Sequence, residues 1–430
     1  MSSAASKPFK TKGDAKNQSP TFATSLLPIF RFPFSSFDFR FSQDAYWLCS
    51  PAVAEFHVDG LAEFHFDSWS NLALSGEFAM KKILAIVAAL AGIGLFAGAG
   101  ISRNASRAVS TAPAAAMTPS RTVQFSYVIH VPAVPEGSRE LRVWAPMPYQ
   151  DLYQAVSDIR IESPVPYVMH RDAEYGDRYA YMTIAAAHAK APFDIHVAFR
   201  ATRSERRVSL TGASDTVDQP IISVARFLQP DALVPIDGVI AELSQQQTNG
   251  VALPLDKARK IYDYVIATMH YDHDGTEWGR GDAVWACTSK HGNCTDFHSL
   301  FIGMARAAGI PARFEIGFPL PADKTEGAIT SYHCWAEFYV GGIGWIPVDA
   351  SEAWKHKEKI DYFFGGLDVN RVMFTLGRDI QLTPPQKGGP LNYSVYPYAE
   401  LDGAPFTGLK EDYSFRDVGA AKGAAAGGMK

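Results

Sequence analysis

The hydrophobic period of the chain changes near residue 210, and this change constrains the fold more than any other feature. Upstream of it, apolar and polar residues alternate, as over 123–131 and 193–199, and a period of two predicts half-buried strands. Downstream, apolar residues recur three and four positions apart, as in the stretch that begins at Asn293, and this spacing predicts helices. Further strand-like runs follow the helices. The order of the elements therefore predicts an α+β fold.

The same change in period suggests how the chain divides into domains. We expect a small antiparallel β domain, arranged as a sandwich, over residues 120–212. A mixed domain of helices and strands is expected over 220–385, and a disordered tail over 418–430. The β domain carries no cluster of nucleophile, base or metal ligands, so its expected role is to support the fold or to present a substrate.

Residues 80–116 have the form of a targeting segment. Lys81 and Lys82 precede an uncharged run of nineteen residues over 83–101, and small residues that fit a cleavage site follow. This pattern predicts a secretory signal peptide, although the run is also long enough to be an uncleaved membrane anchor. In either case we expect an exported protein, periplasmic or secreted.

The first 79 residues do not fit this interpretation, because a signal peptide should begin at residue 1. We expect translation to begin at Met80 and residues 1–79 to be a misassigned start, with a poorly ordered extension as the alternative. Cys49 then has no part in the function.

Charge and cysteine content argue against a nucleic-acid-binding protein and against a fold held together by disulfides. The formal net charge is −5, so the chain has no electrostatic footprint for a nucleic-acid partner. Four cysteines in 430 residues are too few to stabilise a chain of this length, so hydrophobic cores must hold the fold.

Cys294 is the residue best placed for nucleophilic chemistry. Asn293 is a favourable N-cap, and Asp296 lies in the first turn of the predicted helix. Free N–H groups at a helix start stabilise a thiolate and lower the pKa of the thiol, as a nucleophilic cysteine requires. The alternative is an inert buried cysteine that fills the core.

A base and a carboxylate follow on two neighbouring strands. His333 lies in one strand-like run, Asp349 ends the next, and the glycine-rich segment 341–344 joins them in a tight hairpin. Such a hairpin brings an imidazole and its orienting carboxylate side by side. Together with Cys294 they complete a thiolate, imidazole and carboxylate series.

Three segments carry a family resemblance. Residues 292–296 (Gly-Asn-Cys-Thr-Asp), 332–337 (Tyr-His-Cys-Trp-Ala-Glu) and 344–349 (Gly-Trp-Ile-Pro-Val-Asp) resemble, in this order, the core blocks of the transglutaminase-like superfamily. The β domain resembles that of exported bacterial members. Residues 390–398 look like their closing strand, so the region 386–417 is expected to close the fold.

The resemblance implies a papain-like α+β core preceded by the β domain. It also implies that Cys294 is the nucleophile, His333 the general base and Asp349 the residue that orients it. No cofactor and no metal are expected.

The hairpin register provides a check on this assignment, because a slip of one residue moves a side chain to the other face. We expect a three-residue loop, 342–344, with Gly344 in the left-handed region, so that Gly341 pairs with Trp345. Asp349 then lies on the same face as His333.

Several neighbouring residues have expected roles outside the triad. Alternation directs Cys334 away from His333, which predicts a core residue that does not join Cys294 in one site. Cys287 is expected to be a free thiol, with a bridge to Cys334 as the alternative. His298 is expected to form a wall of the site.

The oxyanion hole is expected to use the backbone N–H of Cys294. The second donor stays open among Trp278, Trp285 and a residue near Tyr271.

Two other functions are compatible with parts of the pattern. His291, Cys294, His298 and His333 are residue types that bind zinc, although the spacing lacks a CxxC pair. A non-catalytic module that binds peptide would keep the fold and lose the chemistry.

The sequence favours an exported cysteine enzyme that acts on peptide or protein amides through an acyl-enzyme. Hydrolysis is favoured, and crosslinking by γ-glutamyl transfer is the alternative, since the same three residues serve both. The expected partner is a peptide or protein substrate.

Overall fold

Mixed helices and antiparallel sheets make up residues 118–215 and 221–419, which are the residues that the computed structural model describes. These residues all belong to one compact unit. The predicted extension 1–79, the targeting segment 80–116, Cys49 and nearly all of the predicted tail lie outside the described residues. Within the described ranges, every helix is too short or too polar to cross a bilayer.

Strands dominate the described residues. In chain order they are β1 (Ser120–Val131), β2 (Glu140–Pro146), β3 (Gln154–Glu162), β4 (Val168–Arg171), β5 (Arg178–Ala185), β6 (Phe193–Ser204), β7 (Arg206–Arg207), β8 (His270–Tyr271), β9 (His291–Gly292), β10 (Ala312–Pro319), β11 (Glu326–Ile329), β12 (His333–Val340), β13 (Gly344–Val348), β14 (Gly366–Leu367), β15 (Arg371–Leu376), β16 (Tyr398–Leu401), β17 (Ala404–Pro405) and β18 (Lys410–Asp417).

Most helices lie, in chain order, between the two groups of long strands. They are α1 (Ile221–Val224), α2 (Gly238–Thr248), α3 (Pro254–Thr268), α4 (Ala283–Ser289), α5 (Cys294–Ala307) and α6 (Ala350–Lys355), with short 3₁₀ turns at Ala186–His188, Ala225–Leu228 and Lys357–Lys359.

Two five-stranded sheets build the β part of the fold. One has the order β11-β18-β1-β6-β3 and the other β17-β16-β2-β5-β4. Alternate residues of β1, such as Phe125 and Tyr127, are buried in a core that also contains Val143 of β2 and Met182 of β5. The period of two in the sequence therefore arises because each strand turns one face to the core.

Both of these sheets are completed by strands from the C-terminal region. β18 pairs along the length of β1, and β16 pairs with β2. The closing strand expected over 390–398 is wrong in position, because residues 390–397 form no strand and β16 begins only at Tyr398. The apolar and aromatic residues of this segment are typical of a strand. In the structure the segment is an irregular connection whose tyrosines pack against the fold.

The second half of the fold is a four-stranded sheet, β13-β12-β10-β15, with helix α5 packed against β12 and β10. Helix α5 is buried from Cys294 to Arg306, so it is a central helix rather than a surface one. Asn293 caps it as the sequence predicts, and Asp296 completes a capping box.

An aromatic cluster joins this sheet to the β part. Its members come from five strands: Phe125 of β1, Phe199 of β6, Phe318 of β10, Phe374 of β15 and Tyr413 of β18. The rings of Phe125 and Phe199 stack with centroids 5.1 Å apart, and those of Phe318 and Phe374 meet edge to face at 4.9 Å. Because the cluster is shared, the two parts of the fold bury apolar surface against each other.

The hairpin of β12 and β13 has the predicted loop length and a different register. Val340 pairs with Gly344, so the loop is 341–343, and the expected pairing of Gly341 with Trp345 is wrong. Gly341 instead forms a bridge with Ser214, which holds it outside the hairpin ladder.

The consequence expected from the register is nevertheless confirmed. Trp345 pairs with Tyr339 rather than Gly341, a shift of two residues, and such a shift keeps every side chain on its face. Asp349 therefore lies on the face of His333. Gly344 has a φ of 96°, in the left-handed region as predicted.

We expect Phe374→Ala to lower the free energy of unfolding by about 3–5 kcal/mol, because it opens a cavity in the shared aromatic cluster. Unfolding in urea should remain one transition, with circular dichroism and tryptophan fluorescence changing together. The control is Tyr167→Ala at an exposed position, which should change the free energy by less than about 0.5 kcal/mol. Two separated transitions in the wild type would contradict a shared core.

Candidate active site

Cys294 is the first residue of helix α5, and the helix start is held in place by Asp296. The Asp296 carboxylate accepts hydrogen bonds from the backbone N–H groups of Asn293 (2.9 Å), Gly279 (2.7 Å) and Gly281 (3.0 Å). Gly281 has a φ of 64°, and a Cβ there would lie 2.6 Å from the Ser299 Oγ. Only glycine therefore lets this loop approach the helix closely enough to bind Asp296.

The structure brings Cys294, His333 and Asp349 together. The His333 Nε2 lies 2.8 Å from the Asp349 Oδ2, with both side chains buried. The Cys294 thiol lies beside the same imidazole, since each group shifts the pKa of the other, and Nδ1 of His333 is the ring nitrogen that remains for the sulfur. The imidazole thus lies between the thiol and the carboxylate.

Electrostatics in this group favour a thiolate and an imidazolium. Burial alone would raise the pKa of Cys294, but hydrogen bonds from Cys334 and His333 and the charge of His333 hold it well below its usual value. Burial alone would lower the pKa of His333, but the Asp349 charge and hydrogen bond raise it to about 10. Between these two pKa values the sulfur is charged while the imidazole keeps its proton.

Asp349 is fully buried and accepts three further hydrogen bonds. Arg371 donates from Nη1 at 2.9 Å, the Ser351 hydroxyl donates at 3.1 Å, and the Glu352 backbone N–H donates at 3.0 Å as the first turn of helix α6 begins. The His298 Nε2 is 3.7 Å away. Burial raises the pKa of Asp349, but the positive charges of His333 and Arg371 hold it well below its usual value.

His298 links the starts of the two helices. Its Nε2 accepts the Ala350 backbone N–H at 3.1 Å, and its Nδ1 lies 2.7 Å from the Cys294 carbonyl oxygen. Because Nε2 accepts, the proton must be on Nδ1, which donates to that carbonyl. The fully buried ring is therefore held neutral, in agreement with its lowered pKa, whose largest cause is burial.

Cys334 is core, as predicted, but the expectation that it stays apart from Cys294 is wrong. Its Sγ lies 3.7 Å from the His298 Nδ1 and 3.9 Å from the Thr295 Oγ1, and the Cys294 thiol adds to burial in raising its pKa. Alternation fixes only that His333 and Cys334 leave the strand on opposite sides. Helix α5 packs on the Cys334 side, and its first residue reaches the strand end, where it meets both side chains.

The remaining predicted neighbours divide into near and distant groups. Tyr271 is near, since the Cys294 charge contributes, after burial, to raising its pKa to about 12. The Trp278 indole N–H donates to the Gly275 carbonyl at 3.1 Å, and Trp285 packs against His291. The second oxyanion donor therefore stays a prediction. Among the candidates, Tyr271 is the one whose pKa is affected by the charge of Cys294.

The residues named for a zinc site do not come together as ligands. His291 instead lies 2.7 Å from the Asp272 carboxylate, and the described residues contain no group of three metal-binding side chains. Cys287, Cys294 and Cys334 are all free, so the bridge from Cys287 to Cys334 is wrong and the free thiol is confirmed.

Arg371 is the main contributor that the sequence did not reveal. It lies 22 residues beyond Asp349 on β15, and its guanidinium also packs 4.8 Å from the Trp335 ring centroid. A second case is Glu315, whose carboxylate accepts the Trp335 indole N–H. The only signal for either was a charged residue inside an apolar strand.

Comparison with known proteins points to one family. The model of the transglutaminase-like superfamily matches residues 241–350, which contain all three candidate residues. An uncharacterized protein from Haemophilus influenzae is 30% identical over 312 residues, covering 63% of this chain and 84% of the relative. The chain belongs to the transglutaminase-like superfamily.

A solved structure shows the same fold at low sequence identity. A candidate cysteine protease from Cytophaga hutchinsonii superposes with a TM-score of 0.50 at 16% identity, over 70% of this chain and 92% of that one. The periplasmic domain of TgpA from Pseudomonas aeruginosa is also similar, with a TM-score of 0.28 at 16% identity, over 55% of this chain and 90% of that one.

Iodoacetamide at pH 6 should label Cys294 and spare Cys287 and Cys334. The low pKa of Cys294 leaves it as thiolate at this pH, whereas burial raises the pKa of both other thiols. As the pH rises from 6, the labelling rate of Cys294 should stay constant until about pH 10. There His333 loses its proton and the labelling rate should change. In His333→Ala the rate should increase only at higher pH.

Peptide mass spectrometry at a series of pH values makes this measurement, with Cys287→Ala as the control that leaves the Cys294 profile unchanged. Preferential labelling of Cys287 at pH 6 would show that Cys294 is an ordinary protonated thiol.

His298 should make the folded state sensitive to acid. Its folded pKa lies below the ordinary 6.5, so the unfolded chain binds the proton first, and stability falls as the pH falls below 6.5. His298→Gln cannot gain this proton. The gap in thermal unfolding temperature between wild type and His298→Gln should therefore narrow from pH 7.5 to pH 5, and a constant gap would contradict the neutral ring. The control, Gln246→Ala at an exposed site, removes no titratable group and should show a gap that does not vary with pH.

Proposed function

We propose that this protein is an exported cysteine enzyme that cleaves amide bonds in peptides or proteins through an acyl-enzyme. The observation that carries the proposal is the placement of His333 between the Cys294 thiol and Asp349, with 2.8 Å between the imidazole and the carboxylate. Membership of the transglutaminase-like superfamily adds to it, since the match spans all three residues.

In the first half of the proposed reaction, the Cys294 sulfur attacks the amide carbonyl carbon and forms a C–S bond. The backbone N–H groups at the start of helix α5 stabilise the negative charge that develops on the carbonyl oxygen. His333 gives its proton to the nitrogen, the C–N bond breaks, and the amine leaves. Asp349 keeps the imidazole oriented and charged until this step.

In the second half, neutral His333 takes a proton from the incoming nucleophile, which attacks the thioester and releases Cys294. With water the product is a carboxylic acid, and this hydrolytic outcome is the one we propose. Export is proposed from the basic and apolar sequence at 81–101, and a peptide or protein is the proposed substrate.

The decisive experiment offers the purified protein a glutamine-containing peptide together with a fluorescent primary amine. Hydrolysis yields a carboxylate product without fluorescence, and transfer yields a fluorescent amide. We expect the carboxylate to dominate. A dominant fluorescent product would establish crosslinking instead.

Cys294→Ala should abolish turnover and keep the circular dichroism spectrum of the wild type. Cys287→Ala is the matched control, because it removes a thiol outside the series and should leave the rate unchanged. His333→Ala should lower the rate about 10²–10⁴-fold, the usual contribution of general acid–base catalysis. Full activity in Cys294→Ala would overturn the assignment.

A further inference from the structure

A groove lies where the two sheets of the β part end. β3 is the last strand of one sheet and β4 the last strand of the other. The groove between them has a volume of about 600 Å³. Its lining combines apolar and basic side chains: Ile159, Ile161, Tyr167, Met169, His170, Arg171, Arg178 and Thr383. No carboxylate contributes to this lining.

Large apolar side chains are exposed at this edge. Tyr167, Val168 and Met169 of the β4 region are 41%, 56% and 42% exposed, and Ile159 of β3 is 39% exposed. They make up four of the ten exposed large apolar residues in the described part of the chain. Such a concentration at one place is typical of an interaction surface.

Two arginines on the groove wall face each other. Arg171 of β4 pairs directly with Arg178 of β5, and like charges at directly opposed positions destabilise a sheet. Among the described residues, neither guanidinium has a carboxylate within 4 Å, and each donates only to a backbone carbonyl, of Gly176 or of Pro148. A bound anion would offset this repulsion.

The nearby carboxylates are directed elsewhere. Asp172 accepts backbone N–H groups of its own turn, from Glu174, Tyr175 and Asp177, and the buried Asp177 accepts the Leu376 N–H. A second concavity of about 230 Å³ adjoins the first and shares Arg171 and Arg178 as a wall. The two arginines therefore line both concavities.

The two strand edges differ in how well they accept another strand. β3 has an irregularity between Ser157 and Arg160, with Asp158 at a φ of 53°, and such bulges protect an edge from pairing. β4 pairs regularly with β5 along all four of its residues. Its outer edge therefore keeps backbone N–H and C=O groups in a regular extended array.

From these features we infer that the groove binds an extended acidic peptide segment of another protein, which adds as a strand to the outer edge of β4. Carboxylates of the peptide contact Arg171 and Arg178, and apolar side chains two residues away, which share that face, lie on Ile159, Ile161 and Met169. This is strand addition, in which backbone hydrogen bonds supply affinity and side chains supply selectivity. The inference does not depend on the chemistry of Cys294.

The test measures fluorescence anisotropy of a labelled ten-residue peptide, titrated with the full-length protein, whose odd positions alternate glutamate with valine on one face and whose even positions are threonine. We expect saturable binding that weakens with added salt. The same peptide with lysine in place of glutamate should not bind. A version N-methylated at alternate residues should bind at least tenfold more weakly, because it cannot pair with a strand edge.

The double variant Arg171→Glu with Arg178→Glu should lose at least tenfold in affinity. The matched control is Arg139→Glu with Lys190→Glu, which makes the same change in net charge at the opposite end of β5, near Ala185, on exposed residues. We expect the control to bind as the wild type does. Thermal unfolding of both variants reports whether the fold is kept.

Three results would overturn the inference. One is that the wild type does not bind the acidic peptide, or that the double variant binds it with the same affinity as the wild type. Another is equal binding of the N-methylated peptide, which would mean charge attraction without strand pairing. The third is binding to phosphatidylglycerol vesicles that the double variant abolishes while peptide binding stays weak, because it would make the surface a lipid contact.

Discussion

The buried carboxylate of Asp349 is the constraint on which the candidate site depends. A charge removed from water requires partners for its oxygens, and Asp349 obtains them from His333, Arg371, Ser351 and the start of helix α6. These partners come from two strands that are separated from Asp349 in sequence and from the helix that directly follows it. Satisfying one carboxylate thus fixes the beginning of β12, the beginning of β15 and the entry of helix α6 relative to one another.

The sulfur reaches this arrangement through a second set of buried polar contacts. Asp296 fixes the loop before helix α5, and the neutral ring of His298 ties the Cys294 carbonyl to the Ala350 N–H next to Asp349. Both helix starts are therefore set by the same imidazole. Around them, strands β16 and β18 return to the β part, and the aromatic cluster packs it against the central sheet.

Local patterns predicted the elements because each pattern has a local physical cause. The period of two predicted β1 and β6, Asn293 predicted the start of helix α5, and the glycines predicted a three-residue hairpin loop with Gly344 left-handed. The predictions failed where a contact with a residue distant in sequence determined the local arrangement. Gly341 shifted the register by pairing with Ser214, and Cys334 reached Cys294 because the helix packs on its side of the sheet.

The sequence by itself determined the α+β order of elements, the family, and the three candidate residues, because periodicity, helix capping and motif order are properties of short segments. Only the tertiary structure decided that Arg171 and Arg178 face each other, that Arg371 balances Asp349, and which strands close the β part. Those features join residues far apart in the chain, and burial and charge between distant segments exist only once the chain has packed.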